Sequence, residues 1–238
     1  MAPDQYSGKV ALVTGARKGI GLALARHFLA GDATVIGLGR AEAGIEHPSY
    51  HHLSCDVRDA TALRATFQEI SRRWPLHIVV NNAGVLDSKH SFMLPASSAA
   101  EMLATNLLGP FLVSREAAKV MKRTGWGRII SIGSMAAALE PVGDSVYAAS
   151  KAGLVTLTNV LARELAPFGV TCNTVGVTAI ESDMLDQLPR QAVDRIIEGL
   201  AVPRYAEEDD IFNVVDFFAS ERSSYITAQT VYLGGIHA

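Results

Sequence analysis

Cysteine is scarce in this chain of 238 residues: Cys55 and Cys172 stand alone, outside any CxxC or Cys/His pattern. This scarcity argues against a cysteine-based zinc site or redox pair and predicts small buried thiols in a reducing compartment. An excess of one charge is also lacking, since 21 basic and 24 acidic residues give a net charge of −3. Nucleic acid is therefore not an expected partner, because binding a phosphate backbone requires clustered lysine and arginine.

Long apolar runs are lacking too. The apolar stretches are short and interrupted, so none approaches the roughly 20 residues that span a bilayer, and we expect no membrane contact. The N-terminal sequence MAPDQYSGKV has no basic region followed by an apolar core, which argues against a secretory signal and favours the cytoplasm. The seven histidines are scattered, and the adjacent His51 and His52 would point to opposite faces of a strand. No metal site is predicted.

Apolar strands alternate with segments of helical periodicity along the whole chain. The predicted strands are KVALVTG, ATVIGLG, YHHLSC, LHIVVNNAG, GRIISIGS, GVTCNTV and TVYL. The predicted helices cover residues 19–29, 59–74, 99–122, 147–168, 183–200 and 207–219. Continuous apolar strands separated by helices indicate a parallel sheet that is covered on both faces. Because no linker or repeat interrupts the pattern, we expect a single α/β domain over residues 1–238, with the doubly wound parallel sheet of a Rossmann fold.

The connection between the second and third strands is unusually short. Between Arg40 and His51 there is too little chain for a crossover helix of ordinary length. We expect a loop or a single turn there, which would leave the adenine side of a nucleotide site open.

The first strand runs directly into the glycine-rich sequence TGARKGIG. In a dinucleotide site, one glycine permits the tight turn, one lets the backbone approach the pyrophosphate, and one lets the helix pack on the strand. The free N–H groups at the start of the following helix would face the phosphates. Glycines in a strand-to-helix turn can also be purely structural. On the nucleotide interpretation, the residues that contact the cofactor are Gly15, Arg17, Lys18, Gly19, Ile20 and Gly21.

The end of the second strand bears on the choice of cofactor. A carboxylate there would bind the ribose 2′-hydroxyl of NAD and repel the 2′-phosphate of NADP. This chain has Arg40 instead, and Arg17 and Lys18 add positive charge on the same side. Arginine offers a planar fork that suits a phosphate, so NADP(H) is the predicted cofactor. NAD(H) remains the alternative, with Arg40 as a solvated loop residue.

The sequence YAASK places Tyr147 and Lys151 four residues apart, on one face of a predicted helix. A neighbouring ammonium group would stabilise a phenolate and lower the tyrosine pKa toward the range of efficient proton transfer. A Tyr-x-x-x-Lys pair alone is common by chance and is usually a surface pair. The other motifs give it weight.

In order along the chain, TGARKGIG, NNAG, Asn106, Ser134 and YAASK resemble the short-chain dehydrogenase/reductase superfamily over essentially the whole sequence. The resemblance implies that Tyr147 is the general acid in reduction and the base in oxidation, and that Ser134 holds the substrate oxygen. It also implies that Lys151 binds the nicotinamide ribose, and that Asn106 bends its helix and holds a water molecule that relays protons to Lys151. The cofactor residues implied are Asp56, Val57, Asn82, Ala83, Gly84, Tyr147, Lys151, Ile180 and Ser182.

The sequence departs from the family pattern where a Pro-Gly pair usually follows the strand after the catalytic helix. Val177 and Thr178 occupy those positions, and neither reproduces the φ preferences of proline and glycine. We therefore expect either a shifted turn with normal catalysis or a weakened enzyme.

Within the superfamily, the closest resemblance is to bacterial 3-oxoacyl-acyl-carrier-protein reductases and related ketoreductases. The resemblance implies a carbonyl substrate, free or thioester-linked, and a homotetramer or homodimer. An acyl carrier protein is a candidate partner, with Arg128 at one docking position and Phe168 replacing a second basic residue. The leading expectation is NADPH-dependent reduction of a ketone. The alternatives are NAD-dependent oxidation of a cyclic or secondary alcohol or diol, and a nucleotide-binding regulator without turnover.

Overall fold

In a computed structural model of the chain, residues 4–188 and 190–236 are described. Seven parallel strands form one sheet in the order β3-β2-β1-β4-β5-β6-β7. The strands are β1 (Val10–Thr14), β2 (Thr34–Gly39), β3 (Tyr50–Ser54), β4 (Ile78–Asn81), β5 (Gly127–Ile132), β6 (Val170–Gly176) and β7 (Thr230–Tyr232). The predicted doubly wound fold is confirmed, and each predicted strand overlaps an observed one.

The helices are α1 (Gly19–Ala30), α2 (Ala60–Arg73), α3 (Ala96–Leu103), α4 (Gly109–Thr124), α5 (Ala136–Leu139), α6 (Ser145–Leu165), α7 (Arg190–Glu198) and α8 (Glu208–Ala219). No helix separates β2 from β3, as expected from the short connection. Asp59 caps α2, because its carboxylate accepts hydrogen bonds from the N–H groups of Thr61 and Ala62.

Two predicted helical segments differ from the structure in detail, and one short helix was not predicted. The segment predicted at 99–122 begins three residues earlier, and a π-helical turn (Ala104–Leu108) separates α3 from α4. The short helix α5 was not predicted, because one turn of Ala-Ala-Ala-Leu carries no periodic signal. The segment predicted at 183–200 is a 3₁₀ turn (Leu185–Gln187) followed by α7, and Pro189 between them lies outside the described residues.

Two apolar layers cover the sheet, one on each face. One packs α2, α4 and α6 against the strands, with Leu12, Ile70 and Val113 fully buried. The other packs α1 and α8, with Phe28 and Phe218 fully buried. Because β1 lies between β2 and β4, the strand order reverses there, and a ligand crevice is expected at the carboxyl ends of β1 and β4.

Over residues 4–188 and 190–236, no helix has both the length and the apolar character needed to cross a bilayer. The same residues contain no group of three or more His, Cys, Asp or Glu side chains arranged to bind a metal ion.

Candidate active site

The glycine-rich turn has the backbone geometry that a pyrophosphate site requires. Gly15 and Gly19 have positive φ angles of 69° and 54°, which side chains rarely adopt. A Cβ atom on Gly21 would lie 2.4 Å from both the Gly15 carbonyl oxygen and the Asn82 amide nitrogen, so only glycine fits. Lys18 caps α1 without a side-chain hydrogen bond, which leaves the first N–H groups of that helix free of a side-chain cap. The turn therefore fits the phosphates of a dinucleotide.

The turn after β4 is hydrogen-bonded to this glycine turn. The Thr14 hydroxyl accepts hydrogen bonds from the N–H groups of Asn82 and Ala83, at 2.9 and 3.0 Å. The Asn82 side chain donates to the Thr14 carbonyl at 2.9 Å. These bonds hold Asn82 and Ala83 beside Gly15, as expected for residues along the cofactor ribose. Sequence reasoning did not single out Thr14, although a hydroxyl at the end of a buried strand signals such a link.

The predicted phosphate-binding cations differ in their surroundings. Lys18 forms an ion pair with Asp183 at 2.6 Å, which links the glycine turn to the segment after β6. Within the described part of the chain, the side chains of Arg17 and Arg40 have no ion pair, and both are exposed. Arg40 lies close enough to Asp56 to help lower the pKa of that carboxyl group.

The carboxylate of Asp56 is hydrogen-bonded to a neighbouring arginine. Arg58 binds both oxygens of its carboxylate, the shortest contact being 2.7 Å. This hydrogen bonding is the main reason that the pKa of Asp56 is lowered. Val57, the other residue predicted near the adenine ring, is buried against Gly109 at the start of α4. A contact of the Asp56 side chain with the cofactor would therefore share oxygens with Arg58.

Tyr147 and Lys151 lie on one buried face of α6, near the carboxyl end of β5. The Lys151 ammonium group donates to the Ile132 carbonyl at 2.8 Å and lies 5.8 Å from the centroid of the Tyr147 ring. It also approaches Gly84, where an added Cβ atom would be 3.7 Å from Nζ. The predicted ribose contact at Gly84 and the predicted catalytic lysine thus lie side by side.

The pKa of Tyr147 differs from the expectation. Burial raises it, because a phenolate at this position would lose its hydration. The Ser134 hydroxyl opposes this effect as a hydrogen-bond partner, whereas the charge of Asp144 reinforces it. Burial also lowers the pKa of Lys151 from 10.5 to about 8. In this structure, therefore, desolvation dominates both groups, and the predicted lowering of the tyrosine pKa by the lysine is not observed.

Asn106 is completely buried in the π-helical turn. Its side-chain oxygen accepts from the Val85 N–H, and its amide nitrogen donates to the Val85 carbonyl, both at 2.9 Å. The amide also donates to the Ser150 hydroxyl at 3.2 Å. The expected bend in the helix takes the form of a π turn. The side chain fastens the segment after Gly84 to α6, through a serine next to Lys151 that sequence reasoning missed.

The turn that lacks the Pro-Gly pair has ordinary backbone geometry. Neither Val177 nor Thr178 has a positive φ angle, and both side chains are buried. The Met135 N–H donates to the Val177 carbonyl at 2.9 Å, and the Ala206 N–H donates to the Ala179 carbonyl at 2.8 Å. This turn is therefore well packed and hydrogen-bonded without proline or glycine.

Beyond this turn, the two residues predicted to hold the carboxamide lie in one short loop. The Ser182 hydroxyl donates to the Ile180 carbonyl at 3.2 Å. It also accepts from the Leu185 N–H at 3.3 Å, at the start of the 3₁₀ turn. Ile180 and Ser182 are thus brought together, although this hydroxyl already has local partners.

Arg128 does not suit the docking role that the resemblance implied. Its side chain is 1% exposed and donates to the carbonyls of Gly127 and Ser220, at 2.9 and 3.2 Å. A guanidinium group so enclosed has no surface to offer an acidic partner. Periodicity could not reveal this burial, because it comes from contact with the chain after α8. Phe168, at the second docking position, packs under Lys122.

Residues 9–192 match the family described as short chain dehydrogenase. This chain belongs to that family. Members of this family are nicotinamide-dependent oxidoreductases that act on alcohol and carbonyl groups, so this chain is an enzyme of that kind. The regulator without turnover is thereby set aside.

Individual relatives within the family match over almost the whole chain. The 3-oxoacyl-acyl-carrier-protein reductase of Aquifex aeolicus is 34% identical, over 97% of this chain and 98% of its own. The corresponding reductase of Escherichia coli is 33% identical, over 97% of both chains. Among solved structures, the aldohexose dehydrogenase of Thermoplasma acidophilum has a TM-score of 0.89 and 26% identity, over 98% of this chain and 96% of the other.

Proposed function

We propose that this protein reduces a ketone to a secondary alcohol with NADPH, with Tyr147 as the general acid. The observation that carries the proposal is the approach of Lys151 to both Tyr147 and Gly84. Because of this approach, an acid/base group lies next to the predicted ribose site at one end of the sheet.

Each side chain of the site has a separate task in this proposal. The bound nicotinamide supplies the hydride. Tyr147 donates its phenolic proton to the substrate oxygen, which becomes the hydroxyl of the product. Ser134 donates a hydrogen bond to the same oxygen and orients it toward Tyr147. Lys151 holds the ribose and returns a proton toward Tyr147, and Asn106 keeps the surrounding backbone in position.

The preference for NADPH rests on Arg40 and Arg17. Both are exposed guanidinium groups beside the crevice, and the residue directly after β2 is Arg40 instead of an acid. A 2′-phosphate would give these arginines an anionic partner. NAD(H) is the alternative, and a contact of it with Asp56 would share the carboxylate oxygens with Arg58.

A 3-oxoacyl thioester or a related carbonyl compound is the proposed substrate, in line with the names of the reductases that are one third identical. Delivery by an acyl carrier protein would need a docking surface other than Arg128, because that residue is buried. The second candidate is oxidation of a cyclic or secondary alcohol or diol. The similarity to an aldohexose dehydrogenase favours it, since that name denotes a polyhydroxylated substrate.

We also propose a homo-oligomer, a dimer or a tetramer, in the cytoplasm. An apolar groove lies between the π-helical turn and α6, lined by Leu103, Ala104, Leu107, Leu108, Phe111 and Leu157. Leu103 and Leu108 are 43% and 46% exposed, although both are large and apolar. A second copy that packs its own α4 and α6 there would cover them.

The test follows the absorbance of NADPH and NADH with a panel of 3-oxoacyl thioesters, diketones and cyclic alcohols. We expect turnover that favours NADPH, and we expect Tyr147→Phe to lower kcat by about 10²- to 10⁴-fold, because proton transfer is lost. Tyr225→Phe is the matched control, because that tyrosine is 97% exposed. Full activity of Tyr147→Phe would refute the mechanism, and a preference for NADH would refute the role of Arg40.

A further inference from the structure

Asp144 is a buried carboxyl group one helical turn before Tyr147. Asp144, Tyr147 and Lys151 follow the spacing i, i+3, i+7, which places them on one face of α6. Asp144 is only 7% exposed. The Lys89 N–H donates to the Gly143 carbonyl at 2.9 Å, so the loop before α6 is held against the segment that follows Gly84. Asp144 therefore lies on the same face of α6 as the acid/base pair, beside the segment that follows Gly84.

This carboxyl group does not perform the usual task of an aspartate at a helix start. Asp144 occupies the N-cap position of α6, yet its side chain accepts no hydrogen bond from the first N–H groups of the helix. Among the described residues, its Oδ1 atom is buried without any hydrogen-bond partner. A buried polar atom without a partner is costly, and a buried charge is more so.

The surroundings of Asp144 support an interaction with the reacting groups. Burial raises the pKa of Asp144, and a hydrogen bond between the Ser88 hydroxyl and this carboxyl group opposes that change. The charge of Asp144 in turn contributes to the raised pKa of Tyr147, which requires the two groups to be near each other. A ligand group that donates a hydrogen bond to Oδ1 would provide the missing partner.

We propose that Asp144 is a specificity-determining residue that accepts a hydrogen bond from a hydroxyl group of the substrate, close to the reacting carbonyl. This inference rests on the proposed reduction of a ketone, and it favours hydroxyketones and the corresponding diols over the 3-oxoacyl thioester named there. The reacting end of a 3-oxoacyl thioester carries two carbonyl oxygens, which are acceptors only. Such a group would leave Oδ1 without a donor and would bring two acceptors together. A site built around a hydroxyl rejects analogues that lack it.

The experiment uses a pair of probes that differ by one hydroxyl group, 3-hydroxy-2-butanone and 3-methyl-2-butanone, with the cofactor-loaded enzyme. We expect kcat/KM of the wild type to be about 10- to 100-fold higher for the hydroxyketone, as for a hydrogen bond to a charged group. Asp144→Ala should reduce that ratio to nearly one. Glu140→Gln is the control, because Glu140 is exposed in the same loop. An unchanged ratio in Asp144→Ala, or no preference in the wild type, overturns the inference.

Stability and a thioester probe separate this role from a structural one. Because a buried carboxyl oxygen without a partner is removed, Asp144→Ala should raise Tm, whereas loss of a structural cap would lower it. A lower Tm therefore counts against the inference. A second outcome also counts against the inference: the wild type prefers 3-oxobutanoyl-N-acetylcysteamine to the hydroxyketone, and Asp144→Asn retains that preference.

Failure of the proposed function is distinguishable from failure of this inference. If neither ketone nor the matching alcohols are turned over with either cofactor, the proposed function is wrong. Binding then decides the role of Asp144. A rise of Tm on addition of 2,3-butanediol to the cofactor-loaded enzyme that is lost in Asp144→Ala supports it, and an equal response of both proteins overturns it.

Discussion

At the scale of single residues, desolvation determines the chemistry of the acid/base pair. Lys151 is 5% exposed and Tyr147 is 8% exposed, so each of their charged forms has lost most of its hydration. The pKa of Lys151 falls to about 8 for this reason. Its ammonium group keeps one hydrogen bond, to the Ile132 carbonyl. Proton uptake and release by this lysine therefore lie close to neutral pH, which suits a group that exchanges protons with Tyr147.

The lowered pKa of Lys151 predicts how stability depends on pH. Between about 8 and 10.5, the unfolded lysine is protonated and the folded one is not, so the unfolded state binds more protons. The free energy of unfolding should therefore rise with pH through this window. Over this window, the free energy of unfolding of the wild type should increase by about 3 kcal/mol more than that of Lys151→Met, at about 1.4 kcal/mol per pKa unit.

Urea unfolding of both proteins at several pH values from 7 to 10.5 measures this gain. The control is Lys122→Met, which removes a lysine from an exposed position on α4. If the free energy of unfolding rises with pH equally in the wild type and Lys151→Met, burial does not perturb Lys151. The same conclusion follows if the wild type gains as much stability relative to Lys122→Met as it does relative to Lys151→Met.

At the scale of elements, the π-helical turn (Ala104–Leu108) is the feature that organises the site. Its extra residue per turn turns Asn106 inward, where the side chain satisfies both polar groups of the Val85 backbone. On the other side of the same turn, Leu107 packs against Gly153 of α6, where an added Cβ atom would lie 3.2 Å away. The turn thus connects the segment that borders the cofactor crevice to the helix that carries Tyr147 and Lys151.

Replacing Asn106 should therefore destabilise the protein as well as slow it. Asn106→Leu keeps a similar volume but leaves the Val85 N–H and carbonyl groups buried without partners, at a cost of about 2 to 4 kcal/mol. Chemical denaturation measures the loss. Asn213→Leu, at an exposed position of α8, is the control and should change stability little. A loss equal to that of the control would mean that these hydrogen bonds contribute nothing.

At the scale of the whole molecule, the apolar groove places the proposed subunit contact beside the active site. Leu107 and Leu108 line the groove and directly follow Asn106 in the sequence. A partner subunit that covers these leucines would contact the π-helical turn that contains Asn106. Association and activity should consequently be linked.

Leu108→Glu tests this link. A carboxylate in the groove would have to be buried on association, so we expect the oligomer to dissociate, with lower activity at the same concentration. Light scattering coupled to size-exclusion chromatography measures the mass. Val202→Glu is the control, because it adds the same charge at a position that is 52% exposed, outside the groove. A Leu108→Glu variant of unchanged mass would exclude the groove as the interface.

Much of the fold and the composition of the site could be predicted from the sequence alone. Strand and helix periodicity is local, so the alternation of elements, the parallel sheet and the missing helix after Arg40 were all predicted. The glycines of the first turn were predicted as well, because a positive φ angle or a close backbone contact restricts a position to glycine. The four-residue spacing of Tyr147 and Lys151 determined that they share a helix face.

Burial and hydrogen-bond partners were decided only by the tertiary structure, because they depend on segments distant in the chain. Arg128 is enclosed by the chain after α8, and Lys18 is paired with Asp183. The pKa of Tyr147 rises, contrary to the expectation from its lysine neighbour, because packing removes water from both groups. The buried Oδ1 atom of Asp144, which has no partner among the described residues, is a feature of the same kind. A residue type can be recognised along the chain, but its solvation is set by everything that folds around it.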